Sequence, residues 1–427
     1  MEKKQLKKIG FISTRISGTD GVSLEIEKWA SVLEAMGFKC FYFAGELDRP
    51  AERSLKCPLA HFKHPEIERI NHAAFRKVIR PESLTLRILR AKNKIKSSLK
   101  RFIKQLNIDI IIVENALAIP VNLPLGLACT EYIAESGIPT IAHNHDFYWE
   151  RKRFSVNCVW DYLNNSFPPR HPFVRHVVIN SDGRSQLALR RAVSAVVIPN
   201  VMDYESSPSE PDSYSKTVKK DLGISPDEYF ILQPTRIVQR KGIEHAVELI
   251  KRLENRKIKA KLVISHASGD EGGEYENRIR EYSRFLNVNT IFVSGQIGER
   301  RGTAPDGKKI YSLSDVYPFA DFITYPSAFE GFGNAFLEAV FFKKPVLINN
   351  YSIYANDIKP KGFDVVEIDD YLTETAVKKV EKLLKQPESR KEITEKNYAL
   401  ALKYFSYSVL RRKLSGIISD FFGEEYE

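Results

Sequence analysis

Residues 325–346, YPSAFEGFGNAFLEAVFFKKPV, constrain this chain more than any other segment. The stretch leading into it, Phe319 to Tyr325, reads as a strand, and Gly331-Phe332-Gly333 as a turn. Asn334 to Phe342 has helical spacing, and Lys343-Lys344-Pro345 stops the helix before a second strand, Val346 to Asn349. Such a turn leaves backbone N–H groups free at a helix N-terminus, where the macrodipole also favours negative charge, so it is a natural seat for phosphate. Carboxylates beside that seat repel phosphate and need another task. Hydroxyl binding supplies one: Glu338 for a ribose diol, Glu330 for a hexose ring. Phosphate, ribose and hexose together describe a nucleotide sugar.

The rest of the chain repeats the alternation. It opens with a strand (Lys8 to Thr14), a loop (Arg15 to Ser23), a helix (Leu24 to Met36) and a strand (Lys39 to Ala44). Further strands are expected at Ile108 to Val113, Pro139 to His143, His176 to Ile179 and Ala195 to Ile198. A second series starts at Tyr229 and continues through Lys261 to Ser265, Thr290 to Ser294, Asp321 to Tyr325 and Val346 to Asn349. Helices over Thr373 to Leu384 and Glu395 to Phe422 close the chain. Strands alternating with helices predict an α/β protein built on parallel, doubly wound sheets. Residues 201–217, rich in Pro, Ser and Asp, are expected to link residues 1–200 to residues 218–403, with 404–427 as a final helix.

The residues Pro326, Ser327, Glu330, Gly331, Phe332, Gly333 and Glu338, with seven residues between the glutamates, resemble the signature of glycosyltransferase family 4. The resemblance implies a GT-B fold: two doubly wound Rossmann-like domains facing a cleft, the last helix crossing back to the first. It implies a retaining, metal-independent hexosyltransferase that needs no cofactor besides its nucleoside-diphosphate sugar, GDP-mannose or else UDP-glucose. Phe230 to Arg236 reads as a strand leading into a loop with Arg236 and Arg240-Lys241-Gly242. Cations five residues apart suit a diphosphate, and by the resemblance Arg236 and Lys241 hold it with Glu330, Gly331, Phe332, Gly333 and Glu338. Gly18 and Gly21, in a loop that lacks the dinucleotide fingerprint, either approach the diphosphate or form a tight turn with a Ser or Asp helix cap. Arg15 is beside this loop.

The segment from Ile141 to Arg153 carries His143, His145 and Asp146. By resemblance His145 is catalytic together with Glu330, Arg236 and Lys241, while His143, Asp146 and Arg151 contact the acceptor. The His-x-His pair has no evident third metal ligand in the sequence. Arg151 and Arg153 suit an anionic acceptor, and Glu114, Asn115 and Asn122 are set toward it. A phosphorylated glycosyl-glycerate, as used by the family's mannosylglucosyl-phosphoglycerate synthases, fits that description; lipid-linked or polysaccharide acceptors stay open. A nucleotide-sugar epimerase of GT-B shape is the alternative enzyme.

Composition narrows the field further. The formal net charge of +11 favours acidic partners, but Lys and Arg are scattered among Glu, as on a salt-bridge-laced surface rather than a nucleic-acid stripe. The basic run Arg87 to Lys104 reads as one face of an amphipathic helix, leaving room for a peripheral membrane contact. Four separated cysteines (Cys40, Cys57, Cys129, Cys158), no secretory leader and no unbroken apolar span give the expectation of a cytoplasmic protein. The oligomeric state is not encoded in these patterns.

Overall fold

Every residue of the strand Ile110–Glu114 (IIIVE) is buried, as expected of a parallel strand covered on both faces. A computed structural model describes residues 7–18, 20–267, 273–293, 295–298 and 300–423. It divides into two units, Met1–Asn200 with Tyr407–Glu427 and Val201–Ser406.

In the first unit the strands β1 (Lys8–Ile12), β2 (Lys39–Ala44), β3 (Ser54–Lys56), β4 (Ile110–Glu114), β5 (Thr140–Asn144), β6 (Val174–Val178) and β7 (Ala195–Val197) form one sheet. Their order is β3-β2-β1-β4-β5-β6-β7, and every pairing is parallel. The strand order reverses between β1 and β4, so the loops leaving their carboxyl ends diverge and open a ligand crevice there. The first helix, α1 (Gly21–Ala35), begins earlier than its periodicity predicts because the Asp20 carboxylate accepts from the N–H groups of Val22 and Ser23. Helix α2 (Pro65–Ala74) and helix α3 (Glu82–Leu106) follow. Helix α3 buries Leu84, Ile88, Ala91, Ile95, Leu99 and Phe102 at three- and four-residue spacing. A Cβ at Gly10 of β1 would stand 2.8 Å from the Phe102 ring, so the helix lies directly on the strand. On its polar face, Lys92 and Lys96 are ion-paired to Glu131 of the next helix, α4 (Leu123–Ser136). Part of the basic face expected to be free for a membrane is thus engaged within the protein. Among the described residues no helix is long and apolar enough to cross a membrane.

The second unit repeats the plan with β8 (Tyr229–Gln233), β9 (Ala260–Ile264), β10 (Thr290–Phe292), β11 (Phe322–Tyr325), β12 (Val346–Asn349) and β13 (Val366–Ile368). Their parallel order is β10-β9-β8-β11-β12-β13. Ser294, the predicted end of β10, lies outside the described residues. Helix α5 (Ile243–Glu254) packs on this sheet with an apolar stripe of Ile243, Ala246, Val247, Ile250 and Leu253. The short strands β3 and β13, three residues each, are too brief to show a period of their own.

Two expectations are corrected. Residues 201–217 are not a separate linker but part of the second unit. Their irregular composition hides two anchors: Tyr204, 2% exposed, donates to Leu337 O at 2.7 Å, and Tyr214 donates to Ile310 O at 2.9 Å. The closing helix predicted over Glu395 to Phe422 is two helices, Pro387–Phe405 and Tyr407–Phe422. Ser406 between them is extended and bridges Met202, so the chain leaves the second unit at a residue that carries no Gly or Pro signal.

Candidate functional site

The second unit gathers its functional side chains on two loops that leave the carboxyl ends of β8 and β11. Backbone stitches these loops together: Ala328 N–H donates to Arg240 O at 2.9 Å. Gly242 has φ +56, and a Cβ there would come within 2.5 Å of Pro326 O. Glycine is therefore required both by the left-handed backbone and by the close approach. Lys241 is buried and donates to Glu330, whose other oxygen accepts from Arg240 at 3.1 Å. Burial alone would raise the Glu330 carboxyl, but Lys241 and Arg240 reverse that and hold it below the usual range. Arg236 is exposed beside this group and adds positive potential to it.

Beyond Glu330 the chain turns at Gly333, φ +130, where a Cβ would meet the Tyr351 hydroxyl at 2.5 Å. That hydroxyl donates to Phe332 O at 2.7 Å and fixes the turn. The helix that follows, α6 (Asn334–Phe341), has no side-chain cap at its N-terminus. Glu338 on this helix accepts from the buried Tyr317 hydroxyl at 2.9 Å. Phe332 is buried against Phe405, so it packs rather than faces solvent. The structure thus brings Lys241, Glu330 and the glycine turn together, with Arg236 alongside and Glu338 on the helix that the turn begins.

In the first unit the site grows from sheet register. Glu114, last residue of β4, is the register partner of His143 in β5. Alternation along a strand puts His143 and His145 on the same face. Glu114 Oε2 lies 2.9 Å from His143 Nδ1 and 3.2 Å from His145 Nε2. The three offer potential ligand atoms within 4.8 Å of one another, and Glu114 is a third candidate donor that the sequence did not reveal. Their separations are hydrogen-bonding distances. Burial would raise the Glu114 carboxyl, but His143 and His145 pull it down to about 2. Burial opposes charge on His145 as well, and Glu114 outweighs it, so His145 is shifted above the ordinary histidine value. His143 is 1% exposed and stacks on Trp29 of α1 at 4.1 Å between centroids.

Asn115 completes the frame. Its Oδ1 accepts from His145 N–H at 3.1 Å and its Nδ2 donates to Asp146 at 3.3 Å. Asp146 also forms an ion pair with Arg151. Arg151 is therefore engaged within the protein, while Arg153 has no ion-pair partner among the described residues. Asn122 is structural: it caps α4 through Leu125 N–H at 3.0 Å and donates to Leu59 O at 2.9 Å. Asn180, likewise, caps the helix Ser181–Arg191.

The glycine loop after β1 takes the turn-and-cap form of its two readings. Gly18 has φ +69 and its N–H donates to Asp48 at 2.9 Å. Asp20 occupies the N-terminus of α1 and pairs with Arg15 at 3.1 Å. Gly21 has open space around its Cβ position. Two carboxylates at this turn disfavour a phosphate, the use expected from resemblance; Thr19 lies outside the described residues.

Sequence reasoning missed Trp29 and Tyr317, named Arg240 in the cationic loop without giving it a partner, and placed Glu114 toward the acceptor rather than between two imidazoles. A carboxylate ending a run of buried apolar residues was the available signal, because such a group demands partners.

Comparison with known proteins agrees with this layout. Residues 215–400 match the family model "Glycosyl transferases group 1". The chain is 31% identical to mannosylglucosylglycerate synthase of Thermotoga maritima, covering 96% of this chain and 99% of that protein. It is 33% identical to mannosylglucosylglycerate synthase of Petrotoga mobilis, covering 84% and 86%. A glycosyltransferase structure from Rickettsia africae superposes with a TM-score of 0.70 at 15% identity, covering 98% of this chain and 99% of that one. Its two parallel-sheet units are those of the GT-B fold. The chain belongs to the glycosyl transferases group 1 family, with the GT-B fold, and is a hexosyltransferase.

Proposed function

We propose that this protein is a retaining mannosyltransferase that moves mannose from a nucleoside-diphosphate mannose to glucosylglycerate. The observation that carries the donor half is the stitched pair of loops in the second unit, where Lys241, Arg240 and Glu330 share one ion-pair cluster and Arg236 adds charge. The sugar and the acceptor follow from the product named for the two full-length relatives. Neither name carries a phosphate, which favours an unphosphorylated acceptor over the phosphorylated one expected from sequence.

In this reading Glu338, oriented by Tyr317, binds the ribose diol, and Glu330 binds the hexose. The acceptor hydroxyl attacks C1 from the face that the diphosphate leaves. The C1–O bond to phosphate breaks, the glycosidic C1–O bond forms, and the hydroxyl proton passes to the departing phosphate. Arg236 and Lys241 stabilise the charge growing on that phosphate without need of a divalent ion. His145, on which Glu114 favours the charged form against burial, steadies a hexose hydroxyl.

The test is product analysis with GDP-mannose, UDP-glucose and glucosylglycerate. A mannosylated product with the donor's anomeric configuration, formed after exhaustive chelation, is expected. Lys241→Ala should lower kcat by about 10²-fold or more. Absence of any transfer to glucosylglycerate overturns the reading. Interconversion of the donor sugar without an acceptor would make the protein an epimerase.

A further inference from the structure

The first unit contains a cavity of about 440 Å³ that the proposed reaction has not yet used. That volume is within the range of about 300–1,000 Å³ typical of small-molecule sites. Its walls come from separate segments: the stretch after β3, helix α2 and the residues following it, and the loops after β4 and β5. The first of the last two loops follows Glu114, and the second carries His145.

Phe62, half-buried, lines the cavity together with Val121 and the buried Phe75 and Phe154. Phe75 and Phe154 meet edge to face at 4.8 Å between centroids. Three cations, Arg76, Lys77 and Arg153, also line the cavity, and no acidic residue does. None of the three has an ion pair among the described residues. The Arg153 guanidinium lies 4.7 Å from the Phe154 ring centre.

Two further observations mark the cavity as built. Arg76 is held at φ +65, a left-handed backbone that costs a non-glycine residue energy, by its N–H bond to Val156 O at 2.7 Å. Asn71 donates to Val121 O at 2.8 Å, yet its Oδ1 is buried without a partner among the described residues.

A half-buried aromatic ring, Phe62, beside unpaired cations is complementary to a carbohydrate that carries a carboxylate. We infer that this cavity binds the acidic end of the acceptor, with Arg153 and Arg76 on the carboxylate and Phe62 against the sugar. The inference rests on the proposed acceptor class, but it moves recognition of the acid from Arg151, which Asp146 occupies, to Arg153 and Arg76.

The experiment compares glucosylglycerate with glucosylglycerol, in which CH₂OH replaces the carboxylate, using wild type, Arg153→Ala and Arg76→Gln. Calorimetric binding of each compound is measured beside turnover. Wild type should prefer the acid, and either variant should reduce that preference, as a ratio of kcat/KM, by roughly tenfold or more, the effect of losing a charge-assisted hydrogen bond. Arg153 is exposed, so its variant should fold. An unchanged preference in both variants, with wild type active, overturns the cavity and leaves the function standing. Binding of the acid that depends on Arg153, without turnover, supports the cavity and overturns the function. Failure of wild type to bind or use the acid overturns both.

Discussion

Lys241 and Glu330, 89 residues apart in the chain, form one buried ion pair between two loops of the second unit. The carboxylate is shared with Arg240 at 3.1 Å, so one anion balances two cations. The loops are positioned by this charge arrangement as well as by backbone contacts.

Removing the anion should therefore cost more than removing one cation. Glu330→Gln leaves Lys241 and Arg240 facing each other, whereas Lys241→Met leaves Glu330 with Arg240. A broken buried pair costs about 3–5 kcal/mol, and Glu330→Gln is expected near that range with Lys241→Met below it. Urea unfolding measures both. The reverse order would mean that Arg240 contributes nothing to the cluster.

His145 should titrate above free histidine, and Glu114→Gln should bring it down. The sign follows from the neighbours: Glu114 favours the imidazolium against the opposing effect of burial. The contribution of His145 to stability is full below its unfolded value of about 6.5 and is lost as pH rises through its raised folded value. That of Glu114 is present above its unfolded value and is lost as pH falls toward about 2. NMR titration of the ring reads the shift directly, and an identical His145 curve in Glu114→Gln would refute the coupling.

Gly242→Ala should destabilise the protein more than Gly223→Ala. Both glycines have positive φ, +56 and +69, so each substitution pays the left-handed backbone penalty of about 1–2 kcal/mol. Only at Gly242 does the new methyl meet Pro326 O, at 2.5 Å; at Gly223 nothing lies within 4 Å. Thermal unfolding of the two variants separates the backbone term from the steric one. Gly242→Ala should also lower turnover, because it parts Lys241 from Glu330.

Glu338→Gln should weaken donor binding by about 1.5–3 kcal/mol, the value of a hydrogen bond to a charged group. Tyr317→Phe removes the hydroxyl that orients this carboxylate at 2.9 Å, and should weaken donor binding by about 1 kcal/mol. Calorimetry with the nucleotide sugar checks both. Unchanged affinity in Glu338→Gln would remove this residue from the donor site.

How much of this was legible depended on the range of the contacts. The strand-turn-helix around Gly333 was readable because glycines, periodicity and a terminating Lys-Lys-Pro all lie within one short segment. Strand ends came within two residues in the first unit, since long apolar runs define themselves. The Glu114–His143 contact was not readable, because it depends on which strand lies beside which and in what register. The cation cavity was hidden for the same reason: Phe62, Arg76 and Arg153 come from three separate segments. At Ser406 the helix break is set by pairing with Met202 rather than by local sequence.

The helix Tyr407–Phe422 belongs to the unit that begins the chain, where it packs near α1 and Arg411 reaches Ala35 O at 3.5 Å. During synthesis that unit must wait: its first 200 residues leave the ribosome long before the helix that completes it. The intervening unit has no such debt and can mature first. A helix translated after the whole second unit thus decides when the earlier unit finishes folding, and a nascent chain stopped before Tyr407 would present an open seam along α1 to the cell's quality-control machinery.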